Sequence, residues 1–131
     1  YMNPKAIGEL SEALVLVQLL KNGCAVSIPF GNNQRYDFIL DEDGTLIRAQ
    51  VKTGRLTNGC VSFKTSSVNG ITGKRSTYLG GADVFLVYCP ETDAVYRIPV
   101  ELCGTSMISL RIDQPKGGAK TGIRWATDYL L

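Results

Sequence analysis

Arg35-Tyr36-Asp37-Phe38-Ile39-Leu40, followed by Asp41-Glu42-Asp43-Gly44 and then Thr45-Leu46-Ile47-Arg48-Ala49-Gln50-Val51-Lys52-Thr53, is the stretch that decides the fold. Tyr36 to Leu40 and Leu46 to Lys52 are strand candidates, and the acidic run ending in Gly44 carries turn chemistry. Side chains alternate along a strand, so Ile47, Ala49 and Val51 turn to one face and Arg48, Gln50 and Lys52 to the other. If residues 41 to 44 close the hairpin symmetrically, Leu40 pairs with Thr45. Asp37 then shares a face with Gln50, one diagonal step away, about 7–8 Å and within reach of a shared metal ion. Asp37, Gln50 and Lys52 converge. The competing structural reading is that Arg48, opposite Asp37 in this register, simply pairs with it.

Outward from this hairpin, Lys5 to Asn22 predicts a helix, after Pro4 and before a stop at Gly23. Its polar strip is Ser11, Gln18, Lys21 and Asn22, and it also carries Glu9 and Glu12. A carboxylate on an apolar face is costly without a partner. Complementing the helix dipole accounts for Glu9 better than for Glu12, which lies past the first turn. Further strands are predicted at Ala25 to Ile28, Cys60 to Thr65, Val84 to Cys89, Val95 to Ile98 and Met107 to Ile112. Asn58-Gly59 and Pro90-Glu91-Thr92-Asp93 are hairpin turns. Val84-Phe85-Leu86-Val87 reads as a central strand covered on both faces. One N-terminal helix followed by mostly antiparallel strands is an α+β pattern. Ser66 to Gly81 is a long connection, read as a strand arm or loop along a nucleic-acid groove, or as a plain mobile loop.

The chain has 131 residues, 44% of them hydrophobic and 20% charged, which suits a single globular domain over residues 2–131. It contains no histidine, which excludes Ser/His/Asp triads, HExxH zinc sites and imidazole bases. Cys24, Cys60, Cys89 and Cys103 form no CxxC pair and read as buried free thiols. Met2 behind Tyr1 reads as a start residue. With no secretory pattern and no apolar run of about 20 residues, the expectation is a cytoplasmic protein away from membranes. Gly70-Ile71-Thr72-Gly73-Lys74 lacks Walker spacing, and no repeat is present.

Net charge is only +2, but its distribution is uneven. Between Thr45 and Ala82 there is no acid, while Arg48, Lys52, Arg55, Lys64, Lys74 and Arg75 all fall there. That pattern suits a polyanion-facing surface or a solvated basic face. Gln114 to Thr127 is a second acid-free stretch, with Lys116, Lys120 and Arg124.

A helical glutamate, a strand aspartate and, thirteen residues on, an acid-or-amide, any residue, lysine triplet resemble the PD-(D/E)xK nuclease superfamily. Here they are Glu12, Asp37 and Gln50-Val51-Lys52. Glu12 is the better helical match than Glu9, eleven residues before Gly23 as in archaeal Holliday-junction resolvases. The string Arg35-Tyr36-Asp37-Phe38, Gln50-Val51-Lys52-Thr53, Thr65-Ser66-Ser67 and Val87-Tyr88-Cys89-Pro90-Glu91-Thr92 is similar to the group I intron-encoded homing endonucleases of cyanobacteria. The similarity spans roughly residues 8 to 100. Tyr36 stands in place of the motif's proline, and Gln50 in place of its acid, a weaker ligand for a hard cation.

The resemblance implies a restriction-endonuclease-like core and metal-assisted phosphodiester hydrolysis leaving 5′-phosphate and 3′-hydroxyl ends. Asp37, the Gln50 oxygen and the Val51 carbonyl would hold Mg2+ (or Mn2+), helped by Glu12, while Lys52 orients water. Arg48, Arg55, Lys64, Lys74, Arg75 and Tyr78 are candidate DNA contacts by charge and position. The expected function is a sequence-specific double-stranded DNA endonuclease, working as a homo-oligomer, dimer or tetramer. The alternatives are a junction resolvase and a DNA-binding module that has lost chemistry.

Overall fold

The computed structural model describes residues 2–31, 33–114, 117 and 122–131. Helix α1, Pro4–Lys21, is followed by β1 Ala25–Ser27, β2 Phe38–Glu42, β3 Thr45–Thr53, β4 Arg55–Thr57 and β5 Cys60–Lys64. Then come β6 Ser66–Val68, β7 Arg75–Thr77, β8 Val84–Cys89, β9 Ala94–Pro99 and β10 Met107–Arg111, with 3-10 turns at Val100–Leu102 and Ala126–Tyr129. Asn3 caps α1, its side chain accepting from the Ala6 N–H at 2.8 Å, and Pro4 at the first helical position has no N–H to leave unpaired. Gly23, at φ 77°, takes the left-handed conformation that ends the helix.

One sheet runs β1-β2-β3-β8-β9, with β3 and β8 parallel and the other neighbours antiparallel. A second runs β10-β5-β4, and β6 pairs with β7 as a separate ribbon. All six residues of β8 are buried. Val84, Leu86 and Tyr88 join Val15 and Leu19 of α1 in one core, while Phe85, Val87 and Cys89 join Val61, Phe63, Ile108 and Leu110 of the second sheet in the other. The apolar run thus forms the central strand because both its faces have partners. The α+β architecture, one helix on a mixed and mostly antiparallel sheet, is the one expected. Among the described residues no helix is long and apolar enough to cross a membrane.

Three readings change, and of the alternatives for the Ser66 to Gly81 connection the strand arm is the one that forms. The β2–β3 turn is the two-residue Asp43-Gly44, at φ 54° and 90°, so Leu40 pairs with Ile47 and Glu42 with Thr45. The expected Leu40–Thr45 register is therefore displaced by two residues, which preserves the facing of every side chain. Ser11 is not on a solvent strip: it is 1% exposed and shares a 2.6 Å hydrogen bond with the Thr53 hydroxyl. The Ser66 to Gly81 connection contains the β6–β7 ribbon, whose tip carries Ile71, 97% exposed. Finally, the four cysteines are free thiols, but only Cys89 is fully buried; Cys24, Cys60 and Cys103 are half-buried.

Gly54 ends β3 where the chain crosses between the sheets. A Cβ there would stand 2.7 Å from a Val61 methyl and 2.9 Å from a Val87 methyl, so only glycine fits the crossing. Lys116 and Lys120 lie outside the described residues. Arg124 donates to the Leu102 carbonyl at 2.9 Å.

Candidate active site

The site forms where β2 parts from β3. The Asp37 N–H donates to the Ala49 carbonyl at 2.8 Å, the last rung of that ladder. Beyond it the Val51 N–H has no strand partner, and the Asp37 carboxylate (Oδ2) accepts it at 2.8 Å. A buried N–H needs such a partner, so the aspartate is anchored by the sheet's own geometry. At the same strand edge, Gln50 Nε2 donates to the Val51 carbonyl at 3.2 Å. Asp37 and Gln50 therefore both bond to the backbone of Val51, just beyond the last Phe38–Ala49 pair of the two strands.

Glu12 reaches this point from α1. The buried contact of Ser11 with Thr53 seats the helix's first half against the end of β3 and turns the next side chain toward Asp37. Burial raises the Glu12 carboxyl above the ordinary carboxylate range, and the negative charge of Asp37 raises it further, near enough for a proton on Glu12 to bridge the two. Asp37 is also raised, by burial, against the opposing pull of the Val51 N–H and of Lys52. Glu9 is exposed, so Glu12 is the helical acid that faces the site.

A pair of carboxyls raised in this way loses stability as it ionises. Their favourable contribution is complete below the unfolded values of about 4 and is lost as pH rises through the raised folded values. Glu12→Gln is expected to raise the melting temperature of metal-free protein by a few degrees at pH 7, the gap closing toward pH 3. Melting curves in chelator across that range check this; a gap independent of pH would separate Glu12 from Asp37.

The chemistry of the donors fits a hard divalent cation: two carboxyls held against their tendency to repel, a backbone carbonyl and an amide oxygen. Among the described residues no three His, Cys, Asp or Glu side chains converge. This follows from the amide at position 50. As placed, the Gln50 amide presents its N–H2 to Val51, and ligation would require it to present its oxygen instead.

Lys52 extends from the same face as Gln50, its Nζ donating to the Tyr78 hydroxyl at 2.9 Å. A groove of about 720 Å3 beside it is lined by Lys52, Arg55, Lys64, Thr57, Phe63 and Met107. Arg55 and Lys64 thus line the same groove as Lys52, although Arg55 also pairs with Glu91 at 3.3 Å. Lys74 and Arg75 are exposed on the ribbon.

Two of the expected DNA contacts are placed differently. Arg48 does not pair with Asp37; its Nε and Nη2 hold the Asp83 carboxylate at 3.1 and 2.9 Å, and its Nη1 donates to the Gly80 carbonyl. Asp83 also accepts the Arg48 backbone N–H, and this partner holds its carboxyl below the usual range. Tyr78 is 5% exposed, its ring packed edge-on to Phe85. Its place is inside the protein, not on a DNA-facing surface.

Arg35 has no role that its sequence context suggests. Its guanidinium donates to the Ser67 hydroxyl and to the Ser76 and Thr77 carbonyls, and lies 4.0 Å from the Tyr78 ring centre. The signal available in sequence is a long cation two residues before Asp37, on the alternation that leads to the site.

A model of the PD-(D/E)XK endonuclease family matches residues 2–131, and the chain belongs to that family. Its fold is restriction-endonuclease-like: a solved structure of a bacterial homing endonuclease, I-Ssp6803I, is similar to it at a TM-score of 0.78 and 25% identity. The match covers 98% of this chain and 89% of that one. A comparison with curated proteins returns no match. DNA is the substrate that membership implies, and PD-(D/E)XK nucleases typically use divalent metal ions.

Proposed function

We propose that residues 2–131 act as one domain, a metal-dependent, sequence-specific endonuclease of double-stranded DNA of the homing type, working in the cytoplasm with Mg2+, or Mn2+ in its place. The observation that carries the reading is the meeting of Asp37, Gln50 and Glu12 around Val51, with Lys52 beside a basic groove. Asp37, the Gln50 oxygen, the Val51 carbonyl and Glu12 would hold the ion. When bound, the ion would supply Lewis-acid stabilisation of the charge developing on the phosphate and ease deprotonation of the attacking water. Lys52 orients and polarises the attacking water. No histidine is needed as a base.

Arg55 and Lys64 line the approach, and Lys74 and Arg75 on the ribbon neutralise phosphates. Lys74→Ala with Arg75→Ala is expected to weaken binding and to reduce the log-log salt slope by about 0.9 for each phosphate that is no longer neutralised. Fluorescence titration over a salt series measures this; an unchanged slope removes the ribbon from the interface.

A subunit this small reads only part of a long target, so the enzyme works as a homo-oligomer, a dimer or tetramer. Support comes from Leu10, Val17 and Leu20, exposed along the face of α1 opposite the buried Ser11, Val15 and Leu19. Sedimentation of the parent as an oligomer, shifted to monomer by Val17→Lys with Leu20→Lys, is the expected result; a monomeric parent contradicts it.

The specificity is tested by incubating the protein and Mg2+ with a random linear duplex library and, separately, with four-way junctions. Cleavage of duplex at one recurring sequence is expected. Cleavage of junctions alone would make the protein a resolvase instead.

A further inference from the structure

The catalytic lysine proposed above has no carboxylate partner among the described residues, although Asp37 is close enough to feel its charge. It is held instead by Tyr78. The Lys52 ammonium donates to the Tyr78 hydroxyl at 2.9 Å and lies 4.5 Å from the ring centre. Tyr78 itself has little freedom. Phe85 of the central strand meets its ring edge-on at 5.4 Å between centres, and the Arg35 guanidinium lies 4.0 Å from the ring centre.

Arg35 is fixed in turn. It donates to Ser67 of β6 at 2.8 Å and to the Ser76 and Thr77 carbonyls of β7 at 3.2 and 2.8 Å. The chain after Tyr78 turns tightly, Gly81 and Ala82 both donating to the Tyr78 carbonyl. Gly81 leaves room for Arg35, since a Cβ there would stand 2.8 Å from the Arg35 Cβ. Ribbon, arginine, tyrosine and lysine form one continuous chain of contacts.

We propose that Tyr78 is the positioning residue for Lys52, its hydroxyl holding the ammonium away from Asp37 and toward the attacking water, with Arg35 fastening the tyrosine to the β6–β7 ribbon. The proposal rests on Lys52 being the catalytic lysine of the reading above. Without the hydroxyl, a flexible four-carbon side chain swings toward the Asp37 carboxyl. A displacement of that order is enough to slow chemistry without changing what binds DNA.

Tyr78→Phe isolates the hydroxyl, because it keeps the ring that Phe85 and Arg35 grip. Four measurements are made on the full chain: single-turnover cleavage with saturating duplex and Mg2+, DNA affinity, the melting temperature, and the side-chain ammonium resonance of Lys52 in metal-free protein, assigned by its absence in Lys52→Ala. Expected for Tyr78→Phe is a cleavage rate lower by about 10- to 100-fold, affinity within twofold, an unchanged melting temperature, and a Lys52 resonance broadened by solvent exchange. If Lys52→Ala cleaves at the parent rate, the reading of the site fails. If Lys52→Ala is inactive while Tyr78→Phe keeps the parent rate and resonance, the site stands and the positioning role of Tyr78 is overturned.

Discussion

Asp37→Asn is expected to lower the single-turnover rate of DNA cleavage by at least about 10³, while leaving DNA affinity within about tenfold. Removing one charged group that acts on the reacting centre costs rate on this scale. The choice of asparagine follows from the geometry. Asp37 Oδ2 accepts the Val51 N–H at 2.8 Å, and alanine would leave that buried donor unpaired at a cost of about 1–3 kcal/mol. Asparagine keeps an oxygen there and removes only the charge, so a fall in activity reports on chemistry and not on folding. Lys52→Ala should give the same separation of rate from affinity, because the lysine lies beside the groove that Arg55 and Lys64 also line. A variant that loses DNA binding first would make Asp37 a structural residue.

The Gln50 series has the next largest effects and divides the enzyme reading from a binding module. Two carboxyls and an amide hold a hard cation weakly, since affinity rises with the charge of the ligands. Metal binding by the free protein is therefore expected to be weak, to tighten when a cognate duplex adds a phosphate oxygen, and by linkage to tighten DNA equally. Gln50→Glu supplies a third carboxylate and should strengthen metal binding measured by calorimetry without DNA, while retaining some cleavage. Gln50→Leu offers no oxygen and should abolish cleavage. If Gln50→Leu cuts at the parent rate, Gln50 is no ligand.

Asp37, Gln50 and Lys52 were legible because their convergence depends only on strand alternation and a short hairpin. The register was misplaced by two residues because the acidic run looked like a four-residue turn. Glu42 stays in the strand, since Arg97, far away in sequence, holds its carboxylate with two hydrogen bonds of 2.6 and 2.7 Å. An even displacement keeps every side chain on its face, so Asp37, Gln50 and Lys52 still share one.

Contacts between distant segments were not legible in this way. Arg48 finds Asp83 because β3 and β8 run parallel with Ala49 beside Val84, a pairing no local pattern announces. The β6–β7 ribbon has strands of only three residues each, too short for alternation to register. Tyr78 stood in a basic, polar stretch and read as surface; Phe85 and Arg35 enclose it in the folded chain. Ser11 followed the same rule in reverse, a polar residue at helical spacing from Val15 and Leu19, buried because Thr53 supplies its hydrogen bond.

Metal-dependent hydrolysis of DNA at the Asp37 site is measured by cleavage of duplex DNA with Mg2+ present or chelated, the parent beside Asp37→Asn. Expected are cleavage by the parent only with metal, 5′-phosphate and 3′-hydroxyl ends, and no cleavage by Asp37→Asn under either condition. Cleavage that persists in chelator, or that Asp37→Asn retains at the parent rate, would contradict it.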